Sequence, residues 1–119
     1  MSNSNEIIAL NKLLSDIKIL IGSLSILDKA TENKDQITTS TALDAINFRV
    51  QEVSQTLIAL ALNEASQDSN NLSALQIVGI LIELSNPTPN IKKLHELMDT
   101  QLEALHKKAL SEILNLSVE

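Results

Sequence analysis

Apolar residues recur along this chain at steps of three and four, the spacing that lines one face of a helix. The first such run, over about 5–30, carries Ile7, Leu10, Leu14, Ile17, Ile21 and Leu24 on one stripe, widened by Leu13, Leu20 and Leu27. Asn3, with Glu6 three residues later, offers a cap and its return bond. The second run, over about 41–66, opens on Thr41 as a cap with Asp44 in the first turn. It repeats the spacing at Leu43, Ile46, Val50, Val53, Leu57 and Leu60.

The third run, over about 72–85, is apolar on nearly every side and rich in Ile and Val, which alone would suit a buried strand. A lone strand has no pairing partner elsewhere in the chain, however. Ser73 with Gln76 is a capping-box pair, and Asn86-Pro87 is a helix stop, so the segment is read as a short buried helix. The fourth run, over about 89–117, starts at Thr88-Pro89, a capping residue followed by proline at the first helical position. Its stripe is Ile91, Leu94, Met98, Leu102, Leu105, Ala109, Ile113 and Leu116, and Glu103 with Lys107 and Lys108 with Glu112 add supporting pairs four apart.

These runs predict an all-α, single-domain bundle over residues 1–119, with three long helices and one short third helix. Three helices of roughly 25 residues span about 40 Å each and the third only about 20 Å, at about 1.5 Å per residue. Half of one groove beside the short helix is therefore expected to lie open or to be filled by another chain.

More apolar surface is present than one core needs. Ile8, Ile19 and Ile26 fall on a side of helix 1 away from its main stripe, on a line that also carries Ser15 and Gly22. Phe48 and Leu62 point away from the helix 2 stripe, with Ile58 nearby. Helix 2 either sits centrally with neighbours on two sides or presents a docking face anchored by Phe48 and flanked by Gln51 and Gln55. These six residues, Phe48, Ile58, Leu62, Ile8, Ile19 and Ile26, are the candidate partner interface.

Charge and composition narrow the partners. A net charge of -6 repels phosphate backbones, and Phe48 is the only aromatic, so nucleic-acid binding by neutralisation or base stacking is not expected. From Asp44 to Glu83 the only basic residue is Arg49, whereas Lys92-Lys93 and Lys107-Lys108 place positive charge on helix 4. Two copies meeting helix 2 against helix 4 would thus be complementary; the alternative is that both are solvated faces. The apolar stretches around 17–21 and 77–84 fall short of the ~20 residues that cross a bilayer, so no membrane span is expected. With no cysteine and an N-terminus that lacks a basic, leader-like start, a cytoplasmic protein is the expectation.

Little catalytic chemistry is legible. The absence of cysteine removes thiolate nucleophiles and Cys-based metal or iron–sulfur sites. Glu103-Ala-Leu-His106 matches one half of the carboxylate–imidazole step used in di-iron bundles, but His95 has Lys92 three residues before it, not an acid. His95 and His106 are eleven residues apart, about 16 Å along a helix, too far to share one metal or one proton. Gly22 and Gly79 stand alone, so neither a phosphate-cradling loop nor a serine elbow is indicated. Asn71-Leu-Ser73 and Asn115-Leu-Ser117 match glycosylation sequons without a secretory route, and Leu10-Asn-Lys-Leu13-Leu14 matches a docking motif whose leucines the core requires.

The reading is a non-enzymatic protein-interaction module, an adaptor, inhibitor or chaperone-like protein, that works through apolar helical faces as a homodimer or by holding another protein's helix, and needs no cofactor or metal. The alternative is a carrier of a lipid or other apolar small molecule, because an aliphatic interior almost free of aromatic filler leaves room between long helices.

Overall fold

The computed structural model describes the backbone of residues 2–63 and 72–118, and the side chains of residues 4–61 and 72–116. The elements are α1 (Ser2–Glu32), α2 (Gln36–Asn63), a 3₁₀ turn (Ala74–Ile77) that runs straight into α3 (Val78–Leu84), and α4 (Ile91–Val118). The chain is thus an all-α bundle of four helices in one domain, three long and one short.

Local chemistry sets each boundary, and several boundaries differ from those the sequence pattern suggests. α1 closes in a Schellman motif: the Asp35 N–H donates to the Ala30 carbonyl at 2.9 Å and the Lys34 N–H to that of Thr31 at 3.1 Å. Lys34 takes the left-handed conformation at φ 56° that this motif requires. Asp35 then caps α2, accepting the Thr38 N–H on Oδ1 at 3.0 Å and the Thr38 hydroxyl on Oδ2 at 2.6 Å. α2 therefore starts at Gln36 and not at Thr41. The Thr- and Ser-rich stretch is weakly helical by propensity, but the Asp35 cap and the burial of Ala42 and Ile46 carry the helix through it.

The Ser73–Gln76 pair forms its return bond, Ser73 N–H to Gln76 Oε1 at 3.0 Å, while the Gln76 N–H donates to the Ser73 carbonyl at 3.1 Å. The first turn is accordingly 3₁₀, so the predicted helix over 72–85 is split into that turn and the seven residues of α3. α4 begins at Ile91, two residues later than Pro89, because its cap is Asn90 and not Thr88. Asn90 Oδ1 accepts the Lys93 N–H at 3.0 Å. Asn3, expected as a cap, lies within α1 with its side chain outside the described residues, as does the expected extension of α2 to residue 66.

α1 packs antiparallel against both α2 and α4, as the pairs Lys12–Glu52, Asp16–Arg49 and Asp28–His95 record. The 3₁₀ turn and α3 fill the fourth corner between α2 and α4, whose backbones do not meet. The buried line on α1 is Leu10, Leu13, Ile17, Leu20, Leu24 and Leu27; Ile21, expected on this face, is exposed at its edge. α2 contributes Ile46, Val50, Val53, Leu57 and Leu60, and α4 contributes Leu94, Met98, Leu102, Leu105 and Ala109. Ile77 and Ile80 close the core from the short corner. Each such side chain taken fully from water contributes about 1.5–3 kcal/mol.

α3 covers only the N-terminal half of α4, where Gly79 allows the close approach: a Cβ there would lie 2.7 Å from Gln101 Nε2 and 2.9 Å from Leu97 Cδ2. The result is a rod with extents of 50 × 21 × 19 Å.

Candidate functional site

The outer side of the α1–α2 pair is built on a buried acid. Asp16 faces α2 from α1 and is 3% exposed. Its Oδ2 accepts Lys12 Nζ at 2.9 Å and its Oδ1 accepts Arg49 Nη1 at 3.1 Å. Lys12 also reaches Glu52 Oε1 at 3.3 Å. The hydrogen bond to Asp16 raises the Lys12 pKa, with Glu52 adding to the shift against partial burial. The Arg49 guanidinium lies 5.7 Å from the Phe48 ring centroid, so the same arginine that crosses to α1 also braces the aromatic ring.

Above this network α1 presents Ile8, Lys12, Ser15, Ile19, Gly22 and Ile26 in alternating steps of four and three. α2 presents Thr41, Ala45, Phe48, Glu52, Gln55 and Ala59 in the same steps. Ile8 is 67%, Ile26 56% and Phe48 62% exposed, and Ile19 is exposed as well. Four of the six candidate interface residues therefore share one face. Ile58 is also exposed, but it lies about a quarter turn round α2 from the Phe48 line. The Leu62 side chain lies outside the described residues.

Sequence reasoning missed the small residues of the α2 line, Thr41 and Ala45, although their spacing from Phe48 was available. It also missed the Asp16–Arg49 bond, because nothing in a single sequence says which acid of α1 meets which base of α2. Other apolar residues are exposed as well: Ile37 in the first turn of α2, four residues before Thr41, Leu75, Val78 and Ile82 along the outer line of the short corner, and Leu110 and Leu114 on α4.

The histidines occupy separate places. His95 is clamped between helices, with Nδ1 2.9 Å from Asp28 Oδ2 and Nε2 3.0 Å from Asp99 Oδ2. The bond to Asp28 raises its pKa, with Asp99 adding to the effect. His106 lines a separate groove of about 250 Å³ with Ile21, Leu24, Met98 and Leu102. Glu103 is turned to Lys107, 3.6 Å away. Among the described residues no three His, Asp or Glu side chains are placed to hold a metal ion.

The helix 4 lysines are partly engaged within the chain, Lys93 with Glu83 at 3.7 Å and Lys107 with Glu103. Glu83 is buried and accepts the Asn90 N–H on Oε2 at 2.8 Å, the main cause of its lowered pKa. Among the described residues no helix is long and apolar enough to cross a membrane. Compared with known protein families, curated proteins and solved structures, the chain matches none significantly.

Proposed function

We propose that this chain is a non-enzymatic protein-interaction module whose docking face is the outer side of α1 and α2. The observation that carries the reading is the exposure of Ile8, Ile19, Ile26 and Phe48 on one side of a two-helix layer while the core is complete without them. Large apolar side chains in such a cluster, rimmed by Lys18 and Asp44, have the composition of an interface centre with a charged margin. The Arg49 guanidinium, 5.7 Å from the ring centroid, gives the exposed Phe48 ring one neighbour that is itself tied to Asp16.

The experiment is affinity capture from the native host with wild-type protein and with Phe48→Glu and Ile19→Glu. A partner held by wild type and released by both variants at unchanged helicity supports the face. Equal retention by all three moves the docking site elsewhere.

The carrier reading keeps one specific observation, the apolar floor of Ile21, Leu24, Met98 and Leu102 beneath Asp99, Glu103, His106 and Lys107. Native mass spectrometry of freshly purified protein tests it, since a retained small molecule adds a discrete mass and a clean chain mass counts against it.

A further inference from the structure

We propose that the occupant of the α1–α2 face is a second copy of this chain, related by a two-fold axis running along the rods, so that α1 of each copy lies on α2 of the other. This rests on the interaction reading above and names its partner.

The pairing follows from levels along the rod. Lys12–Glu52 and Asp16–Arg49 fix which residues of α1 and α2 stand at the same height. A two-fold axis parallel to the rods preserves height, so each α1 residue meets, on the second copy, the α2 residue level with it in its own chain. Ile19 then faces Ala45 of the second copy, Ser15 faces Phe48, Gly22 faces Thr41, and Lys12 faces Glu52. A large side chain meets a small one at the Ile19 and Phe48 levels, the exposed Ile26 meets the exposed Ile37 at the next apolar level, and a base meets an acid at the charged one. Beyond the glycine's own helical turn, none of the described residues comes within 4 Å of a Cβ built on Gly22, so the backbone there is open to close approach by a second helix.

Charge selects this arrangement over the other ways of stacking the same face. The outward charges of α1 on this side are Lys12, Lys18 and Lys29, because Glu6 and Asp16 are buried, Asp28 is turned to His95, and the exposed Glu32 lines the groove beside α4 with Ile91 and His95. The outward charges of α2 are Asp44 and Glu52, since Arg49 turns inward to Asp16. Placing α1 on α1 brings two basic faces together, and α2 on α2 two acidic ones. Placing α1 on α2 of the second copy sets Lys18 beside Asp44 at the rim on both edges.

The test is sedimentation equilibrium from micromolar to millimolar concentration, with helicity checked by circular dichroism. Wild type is expected to show a monomer–dimer equilibrium. Phe48→Glu is expected to weaken it by more than about thirtyfold, the loss typical of a hot-spot residue. Lys18→Glu weakens it alone and recovers it when mixed with Asp44→Lys. Because the chain has no cysteine, a mixture of Ile19→Cys and Ala45→Cys single variants reports the geometry directly. A short thiol cross-linker is expected to join Cys of one variant to Cys of the other in preference to like pairs.

A wild-type monomer at every concentration overturns the second-copy occupant while leaving the capture experiment above to judge the face itself. A dimer untouched by Phe48→Glu and Lys18→Glu, or cross-linking dominated by Ile19→Cys with itself, overturns the proposed face and packing.

Discussion

Arg49 Nη1 on α2 donates to Asp16 Oδ1 on α1 at 3.1 Å, and the acid it meets is almost wholly buried. Breaking such a pair from one side strands the other member, and here two cations share the acid. Asp16→Ala is expected to lower stability by about 2 kcal/mol. Arg49→Ala is expected to cost less, because Lys12 still serves Asp16. Urea denaturation of the two variants and the double variant checks this, with the double variant costing less than the two singles together.

Lys34 holds a left-handed backbone at φ 56° to complete the Schellman turn between α1 and α2. A side chain there costs about 1 kcal/mol that glycine avoids. Lys34→Gly is expected to raise stability by up to about 1 kcal/mol, read as a higher midpoint in denaturant at unchanged slope.

His95 is tied to Asp28 and Asp99, and its folded pKa is raised above the ordinary value of 6.5. A raised histidine pKa contributes stability fully present below the unfolded value and lost as pH rises through the folded one. The difference in melting temperature between wild type and His95→Gln is therefore expected to be largest in mildly acid buffer and to shrink as pH rises past neutral. A difference that stays constant from about pH 6 to about pH 9 contradicts the clamp.

Glu83 shows the opposite sign. Its folded pKa is lowered from 4.5, chiefly by the Asn90 N–H, so the stability it contributes is present above the unfolded value and lost as pH falls through the folded one. Glu83→Gln keeps an acceptor for that N–H but removes the charge. Its acid unfolding limb is expected to be flatter than that of wild type.

Gly22 stands in mid-helix with open space around it. Gly22→Ala is expected to stabilise the monomer by about 0.5–1 kcal/mol through helix propensity, measured by thermal melts at low concentration. Gly22→Leu is expected to weaken self-association, because it fills the level where Thr41 of the second copy is placed.

Much of this was legible in the chain. Periodicity alone marked the buried lines of α2 and α4 from Ile46 to Leu60 and from Leu94 to Ala109, because spacing at three and four is a property of one helix and needs no knowledge of its neighbours. It likewise marked Ile8, Ile19, Ile26 and Phe48 as surplus to a single core. Boundaries were less legible: several residues near each end have capping chemistry, and the choice of Asp35 over Thr41 and of Asn90 over Thr88 depends on which backbone N–H groups the packed chain leaves to be satisfied.

The sequence by itself therefore determined that this is an all-α bundle with one short helix and with more apolar surface than its core consumes. Tertiary structure alone decided which acid meets which base, that α1 lies between α2 and α4, and that Ile21 turns outward while Leu20 turns in. The physical reason is one of range. Helix formation and amphipathic spacing are set within a few residues, whereas the height at which Asp16 meets Arg49 is fixed by the packing of side chains from helices more than thirty residues apart.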